Sequence, residues 1–283
     1  MSEITTDDVV LQDVPSMPPR RIVSPVAYPL WGARTSKELV QALFDALTAL
    51  KGIEDAGFLH RDINIGNVMI TKDGRGVLTD CDHGRSITPW PSGEDQGFTG
   101  PPFRLATWQF MSTRILQDPD VQHTLQDDLE SAFWVLLWIA LKWFPRRGHW
   151  ISFKVFNETD VIETRTKPSL PMVVGGDAKM FFLLEDRTNH LGFTSPPLND
   201  LLKQLASVLQ GPLRHDADHT SDEYRNALAN CSLDSVLRMF RDALDPEDWP
   251  STPDRLAEPV YYHPGRGEYE YWGEHRPGRR LLW

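Results

Sequence analysis

The sequence has 283 residues, 40% hydrophobic and 24% charged, with 10 Trp and 13 Phe; that is ample material for a buried core and excludes a disordered chain. Its 29 basic and 40 acidic residues leave a formal charge of −11, which excludes a nonspecific binder of nucleic-acid phosphates. Only two cysteines occur, Met1–Gln12 is acidic without a hydrophobic run, and the greasiest stretch, Trp134 to Phe144, is too short to span a bilayer and contains Lys142. The expectation is an intracellular protein, cytoplasmic or nuclear, with no membrane or nucleic-acid partner.

In chain order, residues 1–34 carry Pro15, Pro18, Pro19, Pro25 and Pro29 and are expected to be irregular. A helix opens at Thr35, which forms a capping box with Glu38, and repeats Leu39, Leu43, Leu47 and Leu50 on one face as far as Asp55. Two short strands follow, Val68 to Thr71 and Gly76 to Thr79. Lys72-Asp73-Gly74-Arg75 links them, because Asp-Gly accepts the positive φ of a tight turn. Residues 86–104 are a long loop rich in Pro, Gly and polar groups. The stretch from Asp127 to Lys142 is apolar all round and belongs in the middle of a domain, with Asp127 and Asp128 favoured at its positive end. Further helices are expected over Asn199 to Leu209 and Ser232 to Leu244, whereas residues 145–197 give no clear pattern. The division is then an irregular segment 1–34, a lobe 35–248 and an extended tail 249–283 ending in the solvated basic residues Arg276, Arg279 and Arg280.

Chemistry concentrates after the first helix. His60-Arg61-Asp62-Ile63-Asn64-Ile65-Gly66-Asn67 matches H-R-D-x-x-x-x-N, the pattern of a kinase catalytic loop. Phosphoryl transfer needs a carboxylate to take the proton of the incoming hydroxyl, the part suited to Asp62, and oxygen ligands for Mg²⁺, the part suited to Asn67 and Asp80. An antiparallel hairpin returns the chain to its start, which makes Asn67 and Asp80 neighbours. The runs LHRDINIGNVMI and GVLTDCDHG, ATWQFMS at Ala106 to Ser112, and DDLESAFWVLLWI at Asp127 to Ile139 together resemble the fungal-type protein kinase family. The match is strong over Thr35 to Lys142 and looser in the later helices.

The resemblance implies a mainly α fold with a small β-hairpin, the C-terminal lobe of a protein kinase around a large central helix. It also implies Mg²⁺ and ATP, a protein substrate or protein partner, Arg61 as a clamp for a phosphorylated activation segment, and Asp128 as a brace for the catalytic loop. The 18 residues from Asp62 to Asp80 are the kinase spacing, with Asp80-Cys81-Asp82 in the place of D-F-G. Candidate phosphate acceptors are Ser86, Thr88, Ser92 and Thr99, which otherwise only solubilise the loop.

The sequence also departs from the family. It contains no G-x-G-x-x-G, Lys37 and Lys51 are the only lysines before Asp62, the Glu of A-P-E has no counterpart with Arg114 near its place, and Ala106 replaces a Gly. The N-terminal lobe is therefore expected to be missing and turnover by the chain alone is not expected. Two readings follow: an ATP-dependent protein Ser/Thr phosphotransferase, or a catalytically inactive kinase-like scaffold. Separately, His215-Asp216-Ala217-Asp218-His219 has spacing adequate for a divalent metal, against the plainer reading of a solvated loop.

Overall fold

The computed structural model describes residues 26–81, 84–86, 106–118, 120–149, 151–163, 171–214 and 220–260. They are mainly helical. The first long helix, α1 (Ser36–Asp55), buries Leu39, Leu43, Leu47 and Leu50 together with Val40, Ala42 and Ala46, as its periodicity predicts. Thr35 caps it by accepting from the Glu38 N–H at 2.9 Å. The capping box is only half formed. Glu38 turns instead to the Arg34 N–H at 2.6 Å, the Arg34 guanidinium and the Tyr28 hydroxyl at 2.9 Å.

Those partners belong to a segment whose proline content suggested irregular chain. Residues 27–29 form a strand, β1 (Ala27–Pro29), followed by a 3-10 turn at Leu30–Gly32. Strands β2 (Phe58–Leu59), β3 (Val68–Thr71), β4 (Gly76–Leu78) and β5 (Arg85–Ser86) follow. β1 pairs antiparallel with β3 and β3 with β4, so the expected hairpin supplies two strands of a three-stranded sheet in the order β1-β3-β4. Pro29 is tolerated because β1 lies at the sheet edge, where a missing N–H breaks no ladder. The hairpin turn places Gly74 at φ 75°.

The sheet lies directly on α1. A Cβ on Gly76 would stand 1.8 Å from the Ala42 carbonyl oxygen, so only glycine lets strand and helix approach this closely. Asp45 fastens the contact by accepting from the Gly76 N–H at 2.9 Å and from Arg75 Nε and Nη2, each at 2.7 Å.

After α2 (Thr113–Gln117), the long α3 (Leu125–Trp143) runs through the centre of the core. Its aromatic residues meet others edge-on: Trp134 lies 4.9 Å from Phe133, 5.9 Å from Phe156 and 5.7 Å from Phe182 between ring centroids. Around it pack α1 and the later helices α4 (Lys154–Asn157), α5 (Asp177–Leu184), α6 (Pro196–Arg214) and α8 (Leu233–Leu244), while α7 (Asp222–Asn230) packs on α6. The stretch that gave no pattern supplies α4, α5 and a second hairpin, β6 (Asp160–Glu163) with β7 (Pro171–Val174). Among the described residues no helix is long and apolar enough to cross a membrane.

Of the segment expected to be an extended tail, residues 249–260 pack back on the helices, and residues 261–283 lie outside the described residues. Trp249 Nε1 donates to the Ala243 carbonyl, and Asp254 accepts from the Ser36 N–H at 2.7 Å and its hydroxyl at 2.5 Å, at the start of α1. The Arg255 guanidinium lies 3.8 Å from the Trp143 ring centroid.

Candidate active site

The link between β2 and β3 carries the H-R-D run. Its peptide groups are held from below by the first turns of α3. Asp128, completely buried, accepts from the His60 N–H at 3.0 Å, the Arg61 N–H at 2.9 Å and His123 Nε2 at 2.9 Å. A buried carboxylate is stable only when its oxygens are satisfied in this way. The brace implied by the resemblance is therefore present as hydrogen bonds to two successive amides. Arg61, which carries the second of these amides, has φ 72°, a left-handed conformation that costs a non-glycine residue about 1–3 kcal/mol.

His60 ties the loop to the hairpin. Its Nδ1 accepts from the Asp62 N–H at 3.3 Å and its Nε2 faces the Thr79 carbonyl oxygen at 3.1 Å, which assigns the proton to Nε2. Thr79 in turn gives its N–H to the Asn67 carbonyl at 2.8 Å, so the hairpin brings Asn67 and the residue before Asp80 face to face. Asp80 is exposed and, like Arg61, has positive φ, 62°.

Asp62 is buried and both of its carboxylate oxygens are held. Oδ2 accepts from Asn67 Nδ2 at 3.0 Å, and Oδ1 accepts from the Thr107 N–H at 3.2 Å. Asn67 Nδ2 also reaches the Asp62 carbonyl oxygen at 2.9 Å. Asn64 closes the intervening turn, its Oδ1 accepting from the Gly66 and Asn67 N–H groups at 2.7 and 3.1 Å. The result is a carboxylate fixed in position on a rigid turn, with an amide and a second carboxylate at one end of the adjoining hairpin.

This donor set suits a hard cation. An amide that donates through Nδ2 presents Oδ1 as its remaining ligand atom, and Asp80 adds one exposed carboxylate. Mg²⁺ is commonly held by one or two carboxylates, with phosphate and water oxygens completing the octahedron. Among the described residues no group of three or more His, Cys, Asp or Glu side chains is placed to hold a metal. Asp82, Thr88, Ser92, Thr99 and the His215–His219 run lie outside the described residues; Ser86 is half-buried in β5, paired with Phe58 of β2.

Sequence reasoning missed the support for segment 107–114. Arg114, near the place of the absent glutamate, forms a bidentate pair with Asp127 at 2.9 and 2.6 Å, and Ser112 donates to the same carboxylate at 2.6 Å. Burial opposes ionisation of Asp127, but His123, Arg114 and Ser112 outweigh it and hold its carboxyl below the usual range. Glu130 accepts from the Thr113 N–H and hydroxyl at 2.8 and 2.7 Å and from Trp134 Nε1 at 2.9 Å. Beneath the segment lies Lys179 of α5, with no exposed surface. Desolvation moves this buried pair towards neutrality from both sides, raising Glu130 and lowering Lys179 to about 7 against the pull of Glu130. The sequence signal for Arg114 was the charge reversal near a named motif position; Lys179 had none, since it falls in the stretch without a pattern.

No curated protein matches the chain. Residues 16–140 match the family described as fungal protein kinase, starting well before the helix at Thr35 where the sequence resemblance was placed. This matched segment, which contains the whole H-R-D loop, the hairpin and most of α3, is what makes the chain similar to the fungal protein kinase family.

Proposed function

We propose that this lobe carries the acceptor and metal side of phosphoryl transfer from ATP to a Ser or Thr hydroxyl of a protein. The observation that supports it most is the carboxylate of Asp62, held at both oxygens by Thr107 and Asn67 on a loop braced by Asp128. A fixed carboxylate can orient an incoming hydroxyl and receive its proton as the bond to phosphorus forms. Asn67 and Asp80 are the residues suited to hold Mg²⁺, which, when bound, neutralises charge on the phosphates. Arg61, on the same loop, is the residue suited to pair with a phosphate on the activation segment. The second reading, a kinase-like scaffold acting through protein partners, rests on the sequence's lack of a G-x-G-x-x-G pattern.

A melting titration with Mg²⁺-ATP separates the two. Ligand at tenfold its Kd stabilises a folded chain by about 1.4 kcal/mol, a rise of roughly 3 °C or more at this size. A saturable rise abolished by Asp80→Asn supports the phosphotransfer reading, and radiolabel transfer lost in Asp62→Asn then completes it. No rise at millimolar Mg²⁺-ATP favours the scaffold.

A further inference from the structure

The turn Thr107–Met111 is held at both ends. At one end the Thr107 N–H donates to Asp62 Oδ1, while the Thr107 carbonyl accepts from the Phe110 and Met111 N–H groups at 2.9 and 3.3 Å. At the other end Lys179 Nζ donates to the carbonyl oxygens of Gln109 and Met111, at 2.9 and 2.5 Å. Nζ also lies 4.9 Å from the centroid of the Trp134 ring. A lysine with no exposed surface is rare because burying its ammonium is costly unless fixed dipoles replace the lost water. Here two backbone carbonyls and an indole face do so. The cost is borne at one particular place: underneath the turn whose first N–H holds the proposed base.

We infer that Lys179 is a positioning residue, a buried amino group that gathers the carbonyls of Gln109 and Met111 and so keeps the Thr107 N–H on Asp62. The argument rests on the phosphotransfer reading for the role of Asp62, but the clamp itself does not. It also explains how a chain with Arg114 near the place of the usual glutamate keeps this segment ordered. Arg114 and Ser112 tie its end to Asp127, and Lys179 supports its middle.

The test is hydrogen exchange of the full chain followed by mass spectrometry on peptides covering residues 106–112. Lys179→Met removes the donor and leaves two carbonyls without it. Exchange across the turn is expected to rise roughly tenfold or more, while peptides from the middle of α1 and α3 stay within about twofold. Should Lys179→Met fail to fold, Lys179→Gln, whose amide can serve one of the two carbonyls, is expected to give an intermediate rise confined to the same peptides. Unchanged protection at 106–112 overturns the inference, and so does an equal rise in all peptides, which marks a residue that only fills the core. In a preparation that transfers phosphate, the variant is expected to lower kcat with KM for ATP unchanged; an equal loss in both parameters counts against positioning. If the wild-type chain transfers none, the phosphotransfer reading fails while the exchange result still decides the clamp.

Discussion

At the scale of single residues, the site depends on buried carboxylates whose every oxygen has a donor. Asp128 is the clearest. Replacing it with Ala leaves the His60 and Arg61 N–H groups buried without an acceptor, at about 1–3 kcal/mol each. Asp128→Ala is therefore expected to lower unfolding free energy by about 3 kcal/mol in urea titration; a loss below about 1 kcal/mol would show that Arg61 keeps its left-handed conformation by other means. Asp62 and Asn67, which hydrogen-bond, were legible from motif spacing, and the hairpin turn explains why Thr79, the residue before Asp80, faces Asn67. Thr107 was visible only as part of a motif, since which N–H meets Asp62 depends on the path of a long loop that composition does not encode. Lys179 was illegible for a different reason. A lysine in sequence reads as solvent-facing, and only the packing of α5 under residues 109–111 reverses that.

At the scale of elements, the helices with apolar periodicity, α1, α6 and α8, and the all-round apolar α3 agree with expectation to within a few residues at each end, apart from α6, which runs longer in both directions. Elements held by a neighbour did not announce themselves. β1 has three residues and ends in proline, and exists because β3 offers an open edge. β6 and β7 pair only with each other among the described strands. The seat of β4 on α1 gives a sharp prediction. Gly76→Ala places a Cβ against the backbone of Ala42, which cannot swing aside as a side chain can. A loss of about 2 kcal/mol or more is expected, with α1 and the hairpin separating by some tenths of an ångström. An unchanged urea midpoint would mean that the close approach is relaxed in solution.

For the molecule as a whole, three ion-paired carboxyls set the acid limit. Glu38, Asp45 and Asp127 each face a burial cost that hydrogen bonds or nearby positive charge outweigh, so each stays ionised below its usual range. A folded pKa lower than the unfolded one contributes stability that is present above the unfolded value and lost as pH falls through the folded value. Buried Glu130, shifted upward by desolvation, works in the opposite sense: its contribution is present at low pH and declines as pH rises. With three groups against one, the melting temperature is expected to fall below about pH 4. Asp127→Asn should flatten that fall, and a curve of wild-type steepness in the variant would remove Asp127 from the account.

The contact between Ser36 and Asp254 has a consequence in time. The two residues are separated by 218 positions, yet Asp254 accepts from the first N–H of α1. At roughly 5–20 residues per second, a ribosome delivers Asp254 about 10–40 s after Ser36. Over that interval the nascent helix leading to the H-R-D loop has Thr35 as its N-cap but lacks the acidic partner at its positive end. The H-R-D loop can thus be assembled before the segment that locks its leading helix has been synthesised, so the tightening at Ser36 follows it in time.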